Sequence, residues 1–259
     1  MFYNHVKLIV NLTKRDISSR YKGSILGPLW SVITPILLLA VYTFVFGTIF
    51  KSKWPGFNSS PADFSIVLFI GMLTFNIFSD SVSKSPWTIS SNANFVKKVI
   101  FPIEILSVVN VLSAIFNFFM GFIAWFIIML IFHGLPPITI VILPILLIPL
   151  IFISLGFSWI VSSLGVYFKD VGQFIGIIVM LLMFSSPVFY SIESIPEKFK
   201  IYFEINPIAL TIDMVRDVAI FNKIPSISTY FLTLFLSVII AYMGYKFFKK
   251  SQKGFSDVL

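Results

Sequence analysis

Cysteine is missing from this sequence altogether, which removes disulfides, thiolate-held metals and cysteine nucleophiles from consideration. Charge is scarce as well: 12% of the residues are Asp, Glu, Lys or Arg, against about 25% in a soluble domain, while 58% are hydrophobic. So little charge cannot cover a water-exposed surface, and an integral membrane protein is expected. No Walker A pattern, HExxH helix or nucleophile elbow occurs. The two histidines, His5 and His133, read as solitary, so neither a catalytic nor a metal site is expected. The apolar runs hold almost no ionisable groups; only Asp80 and Glu104 come near, each toward the end of a run. Ion-driven transporters place such groups at mid-membrane, so any uphill work here is expected to draw on another subunit. A membrane-embedded transferase would need convergent acids and a histidine at the membrane surface, and no histidine lies near Asp80, Glu104 or Asp170. No internal repeat supports an inverted-repeat transporter.

What is present is long apolar runs that do not alternate with a period of two, so helices rather than a barrel are expected. The run that organises the others begins in a basic arm, RDISSRYKGSILGPLW, and continues uncharged over residues 29–50 with Pro35 inside it. That length matches the roughly 20 residues a bilayer core requires. Further runs at 64–82, 105–132, 138–167, 174–190 and 229–248 bring the expected spans to six. An even number puts both termini on one side. Of the 19 Lys and Arg residues, thirteen fall on the side of the termini and six on the other, which places both termini in the cytoplasm. The same distribution accounts for the net charge of +8 without nucleic acid. The basic arm is not followed by a signal-peptide cleavage site.

Several segments carry finer expectations. Residues 1–28 predict a moderately amphipathic helix with Phe2, Val6, Val10, Thr13 and Ile17 on one stripe, a pattern that Leu8, Leu12 and Arg20 interrupt. The stretch SSNANFVKKVIFP predicts a short amphipathic helix ended by Pro102. Asn110 and Asn117, seven apart, share one helix face and suit helix–helix hydrogen bonds. The GxxxG spacings at Gly23/Gly27 and Gly172/Gly176 suit close helix packing. Residues 192–224 are too polar to span and too apolar for an ordinary loop. Two short helices are expected there, begun by Pro196 and Pro207 and capped by Ser194 and Asn206. Aromatics are plentiful, with 31 Phe, 9 Tyr and 5 Trp. Tyr42, Phe46 and Phe50 recur every four residues at the end of the first run, and Phe184, Phe189 and Tyr190 cluster at the end of the fifth. Such clusters serve either as interfacial anchors or as ring surfaces along which sugars pass.

The opening RDISSRYKGSILGPLWSVITPILLLAVYTFVF, with NANFVKKVIFP, FKDVGQFIG, SPVFYSIESIPEKF and INPIALTIDMVRD in the same order, resembles the type-2 ABC polysaccharide exporter permeases, the Wzm-like O-antigen subunits with teichoic acid and capsule relatives. The resemblance implies one all-α domain of residues 1–259. Its parts are a cytoplasmic interface helix at 1–28, spans within 29–191, a re-entrant outer hairpin at 192–226, a sixth span at 227–248 and a cytoplasmic tail at 249–259. It implies a homodimer in the bacterial inner membrane, exporting undecaprenyl-linked polysaccharide, with ATP and Mg held by a separate ATPase and no cofactor in this chain. It assigns Tyr42, Phe46, Phe184 and Tyr190 to the translocation path. Arg15, Arg20, Asn94, Lys97 and Lys98 fall to ATPase coupling, or in part to lipid headgroups, and Pro207, Asp213, Arg216 and Asp217 to the outer hairpin. A type-2 exporter of a drug or small lipid is the alternative from the same superfamily.

Overall fold

The computed structural model describes residues 2–57, 62–96 and 101–259. Every regular element among them is helical, as expected where hydrocarbon offers no partner to an open strand edge. Helix α1 is Phe2–Arg20. Helix α2, Trp30–Tyr42, runs directly into a π-helical stretch, Thr43–Ile49. Helix α3 is Asp63–Thr88, followed by a 3-10 turn, Ser90–Asn92, and the short α4, Ala93–Val96. Helix α5 is Ile105–His133. The 3-10 turn Ile138–Ile142, α6 (Leu143–Leu146) and α7 (Ile148–Tyr167) form one composite rod. Helix α8 is Val171–Phe184, α9 is Glu197–Glu204 and α10 is Pro207–Ala219. Helix α11, Ile227–Ser251, leads through Gln252–Gly254 to α12, Phe255–Val258.

Helix α3 is the pillar. Its residues Ile66, Val67, Leu68, Phe69 and Ile70 are buried in succession, so all of its faces are covered rather than one stripe. Helices α5, α7, α8 and α10 pack around it. Helices α7 and α11 form the closest pair: a Cβ added at Gly156 would meet the Ile240 carbonyl oxygen at 2.7 Å, and one at Gly244 would meet the Gly156 oxygen at 2.3 Å. Backbones approach that closely only where both helices are bare at the contact. The hydroxyls along this seam turn inward on their own helix, with Ser237 donating to the Thr233 carbonyl at 2.6 Å and Thr233 to that of Thr229 at 2.7 Å.

Among the described residues, five stretches are long and apolar enough to cross a membrane: Trp30–Ile49, Asp63–Thr88, Ile105–His133, Ile138–Tyr167 and Ile227–Val258. The run expected to be the fifth span is helical only through Phe184. Its 14 residues give about 21 Å, short of a bilayer core of about 30 Å. Other expectations change too. The close backbone contacts are at Gly156, Gly244 and Gly165. Of the GxxxG pairs, Gly172 packs closely, since a Cβ there would fall 2.3 Å from the Trp87 ring, whereas Gly176 has no neighbour within 4 Å and Gly23 and Gly27 adopt positive φ in the loop after α1. The last residues are not a loose polar tail: Phe255 is fully buried against Phe248, with Ile89, Ile103, Leu106 and Val166 in the same cluster. Asn206 caps α10, accepting from Ile208 N–H at 3.0 Å, and Pro207 opens that helix. Pro196 immediately precedes α9, and the cap in this region is Ser191 rather than Ser194.

Gly244→Leu is expected to separate α7 from α11, because the clash is with Gly156 backbone, which cannot swing away. A loss of about 2 kcal/mol or more, read as a lower melting temperature of the detergent-purified protein, is the expected result.

Candidate functional site

The arrangement has two ends. At the basic end, α1 lies across the start of α5 with Leu8, Ile9 and Leu12 against Ile105 and Val109. Val6 and Val10, on the stripe expected to be apolar, point outward at 45% and 43% exposure. The residues that seemed to interrupt the pattern therefore form the protein-facing side. Asp16, one turn beyond Leu12, lies on that side too. Its Oδ2 accepts from Ser113 Oγ of α5 at 2.8 Å and lies 3.3 Å from Arg20 Nη2, and its Oδ1 pairs with Lys84 Nζ of α3. Burial alone would raise this carboxyl, but the hydrogen bonds from Lys84 and Ser113 and the charges of Lys84 and Arg20 outweigh it, holding Asp16 below the usual carboxylate range.

Of the residues expected to couple to an ATPase, Arg15 places its guanidinium carbon 5.6 Å above the Phe95 ring, which stacks on Phe101 at 4.4 Å. Arg20 turns back to Asp16, and Asn94 stands exposed on α4. Lys97 and Lys98 lie outside the described residues. A polar cavity of about 470 Å³ opens among Arg15, Asp16, Lys84, Asn92 and Asn110. A second, of about 260 Å³, lies between α2, α3 and α5, bordered by Arg20, Trp30, Thr34, Asn76, Asp80 and Asn117. The two asparagines do bridge helices: Asn110 donates to Thr88 Oγ1 at 2.5 Å and Asn117 to Asp80 Oδ2 at 3.0 Å.

At the opposite end, α10 folds into the bundle, and Arg216 is among the largest fully buried side chains. Its Nε donates to the Val67 carbonyl at 3.1 Å and its Nη2 to that of Val188 at 2.7 Å, while Nη1 donates to that of Pro187. The guanidinium carbon sits 4.5 Å above the Trp54 ring. One side chain thus joins α10, α3, the segment after α8 and the loop after α2. Gly71 leaves the room for it, since a Cβ there would fall 2.2 Å from Nη2. Beside it, a cavity of about 530 Å³ is bordered by Trp54, Glu193, Asp213, Asp217 and Lys223. Burial and the neighbouring Asp213, against the pull of Lys223, push the Asp217 carboxyl up to about 6. The family resemblance placed Arg216 in the outer hairpin but gave no hint of the three carbonyls, because they come from two remote segments.

The aromatic residues form two separate groups. Tyr42 and Phe46 lie 6.2 Å apart at the end of the first apolar stretch, and Phe46 lies 5.5 Å from Phe64 of α3. Phe184 stacks on Phe189 at 5.6 Å, and the Tyr190 hydroxyl donates to the Phe184 carbonyl. Among the described residues no ring pair joins the first group to the second within one chain. His133, expected to be solitary, is not: its Nε2 lies 3.1 Å from Asp63 Oδ1, and its ring lies 4.6 Å from that of Phe57. The separation of 70 positions hid that pair from sequence reading.

The family model described as "ABC-2 type transporter" matches residues 7–220 of this chain. The chain is 28% identical over 254 residues to an O-antigen export system permease protein RfbA of Klebsiella pneumoniae, across 97% of this chain and 95% of that protein. It is 22% identical to the RfbA protein of Myxococcus xanthus, across 98% and 96%. It is also 22% identical to the polysialic acid transport protein KpsM of Escherichia coli, across 93% and 92%.

Two outcomes follow from the buried end. Arg216→Met leaves three carbonyls without their donor and is expected to cost roughly 3 kcal/mol or more; Arg216→Lys recovers little, because an ammonium cannot reproduce the fork. Both should melt well below the parent in detergent. Asp217 has its folded pKa raised from 3.8 to about 6, so the folded state favours its protonated form. Its contribution to stability is complete below 3.8 and disappears as pH rises through about 6. Asp217→Asn is therefore expected to melt above the parent at pH 7 and to converge with it toward pH 4.

Proposed function

The chain belongs to the ABC-2 type transporter family, and from that premise we propose that it is the permease subunit of an ATP-driven exporter of lipid-linked polysaccharide, with O-antigen as the cargo. The observation that carries the cargo is the near-full-length similarity to relatives named as O-antigen export permeases. The partner is an ATP-binding subunit that holds ATP and Mg, as the family implies and as the scarcity of ionisable groups in the spans requires. The working unit is a dimer of this chain with two copies of that partner, in the bacterial inner membrane, with both termini cytoplasmic. The basic end then faces the partner and the cytoplasm.

In this reading α8 begins a crossing that the Ser185–Tyr190 segment completes, which makes six spans. Helices α9 and α10 form an outer hairpin that dips into the membrane edge from Pro207 onward, with Asp213 and Asp217 facing its cavity and Arg216 pinning it. The cargo is an undecaprenyl-linked glycan. Its sugars pass over Tyr42 and Phe46 of one subunit and Phe184 and Tyr190 of the other, which gives the two separate ring groups one channel. Flat rings with hydroxyl tips suit a hydrated polymer because they offer apolar faces without strong anchoring. ATP-driven closure of the partner presses on Arg15, Asn94 and the residues 97–98, and the push reaches α3 and α5.

Deletion of the gene is expected to leave lipid-linked glycan inside the inner membrane and to remove it from the surface; a normal surface would point to a small-molecule exporter instead. Tyr42→Ala combined with Tyr190→Ala should lower export several-fold while an affinity-tagged permease still retains its ATPase in detergent. Wild-type export by that double variant would return both tyrosines to interfacial anchors.

A further inference from the structure

Helix α1 carries few means of gripping the bundle. Leu8, Ile9 and Leu12 give it an apolar seat on Ile105 and Val109, a contact that can slide without breaking any directional bond. Its outward face is exposed at Val6 and Val10, its lysines Lys7 and Lys14 are exposed, and Arg15 meets the bundle through the face of the Phe95 ring, a contact with no hydrogen-bond direction. Asp16 differs from all of these. It lies on the seated side, and its two oxygens are taken by two different helices, Oδ1 by Lys84 of α3 and Oδ2 by Ser113 of α5. Arg20 braces the same carboxylate from one turn further along α1. Hydrogen bonds to a charged acceptor are short, directional and roughly twice as strong as neutral ones. A half-buried carboxylate held this way resists both sliding and lifting.

We propose that Asp16 is the latch that makes α1 move as one piece with α3 and α5, so that a push on α1 becomes a displacement of the spans. It is a positioning residue: it acts through Lys84 and Ser113 and need touch neither ATP nor cargo. The transport readout rests on the permease function proposed above, whereas the mechanical readout does not.

The test uses the complete permease–ATPase complex in proteoliposomes. Asp16→Asn, Lys84→Gln and the exchange Asp16→Lys with Lys84→Asp are compared with wild type. The two single variants are expected to assemble with the ATPase and hydrolyse ATP within about twofold of wild type while export falls at least tenfold. The exchanged pair is expected to recover most of the export. Because the chain has no native cysteine, spin labels at Asn11→Cys on α1 and Ile131→Cys on α5 report the latch directly. With Asp16 present their distance should stay fixed when ATP is added; with Asp16→Asn it should shift or broaden. Wild-type export by both single variants, or a parallel fall of export and ATP hydrolysis, or failure of both to assemble, would each overturn the latch. So would an ATP-insensitive label distance in Asp16→Asn. If wild-type complex exports no glycan, the cargo reading fails, and the label distances still decide the latch.

Discussion

A positive charge held in an apolar place governs one end of this molecule, the end opposite α1. Burying a guanidinium costs far more than any single contact returns, so it persists only where every donor has an acceptor in place. At Arg216 those acceptors are backbone carbonyls of α3 and of the turn after α8, with the Trp54 ring closing one face. The turn cannot move without leaving a donor bare, and neither can α10. A polar pin of this kind makes the surrounding packing all-or-none, because no intermediate position satisfies the three bonds together.

The basic end is organised on different terms. There the polar groups bridge pairs of helices one bond at a time: Asn110 to Thr88, Asn117 to Asp80, and Lys249 to Glu104 at 2.6 Å. Bonds that can break singly permit graded movement. The two cavities at this end lie along the same bridges, so the polar groups that hold the helices also keep water-sized space between them.

How much of this was legible in the sequence depended on the distance over which each feature is encoded. Spans are local, and length with hydropathy located five of the six expected crossings as long helices; the fifth expected run is helical only to Phe184, because the chain turns at Ser185 to Pro187, which hydropathy averaging smooths over. The Asn110/Asn117 pair was legible because both sit on one helix and need only a neighbour. The seated face of α1 was misread for a physical reason. A helical wheel assumes that all apolar residues share one sink, yet here Leu8 and Leu12 seat on the protein while Val6 and Val10 stay exposed on the other side. The partners of Arg216, a candidate site residue, and of His133, expected to be solitary, stayed hidden because Val67 and Asp63 lie 149 and 70 positions away in the chain.

The backbone contact at Gly156 and Gly244 carries one more consequence. Two helices that touch through bare backbone have no flexible side chains between them to absorb shear, so α7 and α11 behave as a single beam. Helix α3 is locked against that beam by the close approach of Gly165 to the Pro86 carbonyl. The first apolar stretch, few of whose residues are buried, belongs to no such beam. The molecule therefore divides into a stiff frame and a lightly attached strut, and a cycle that opens a passage bends the join between them rather than the frame itself.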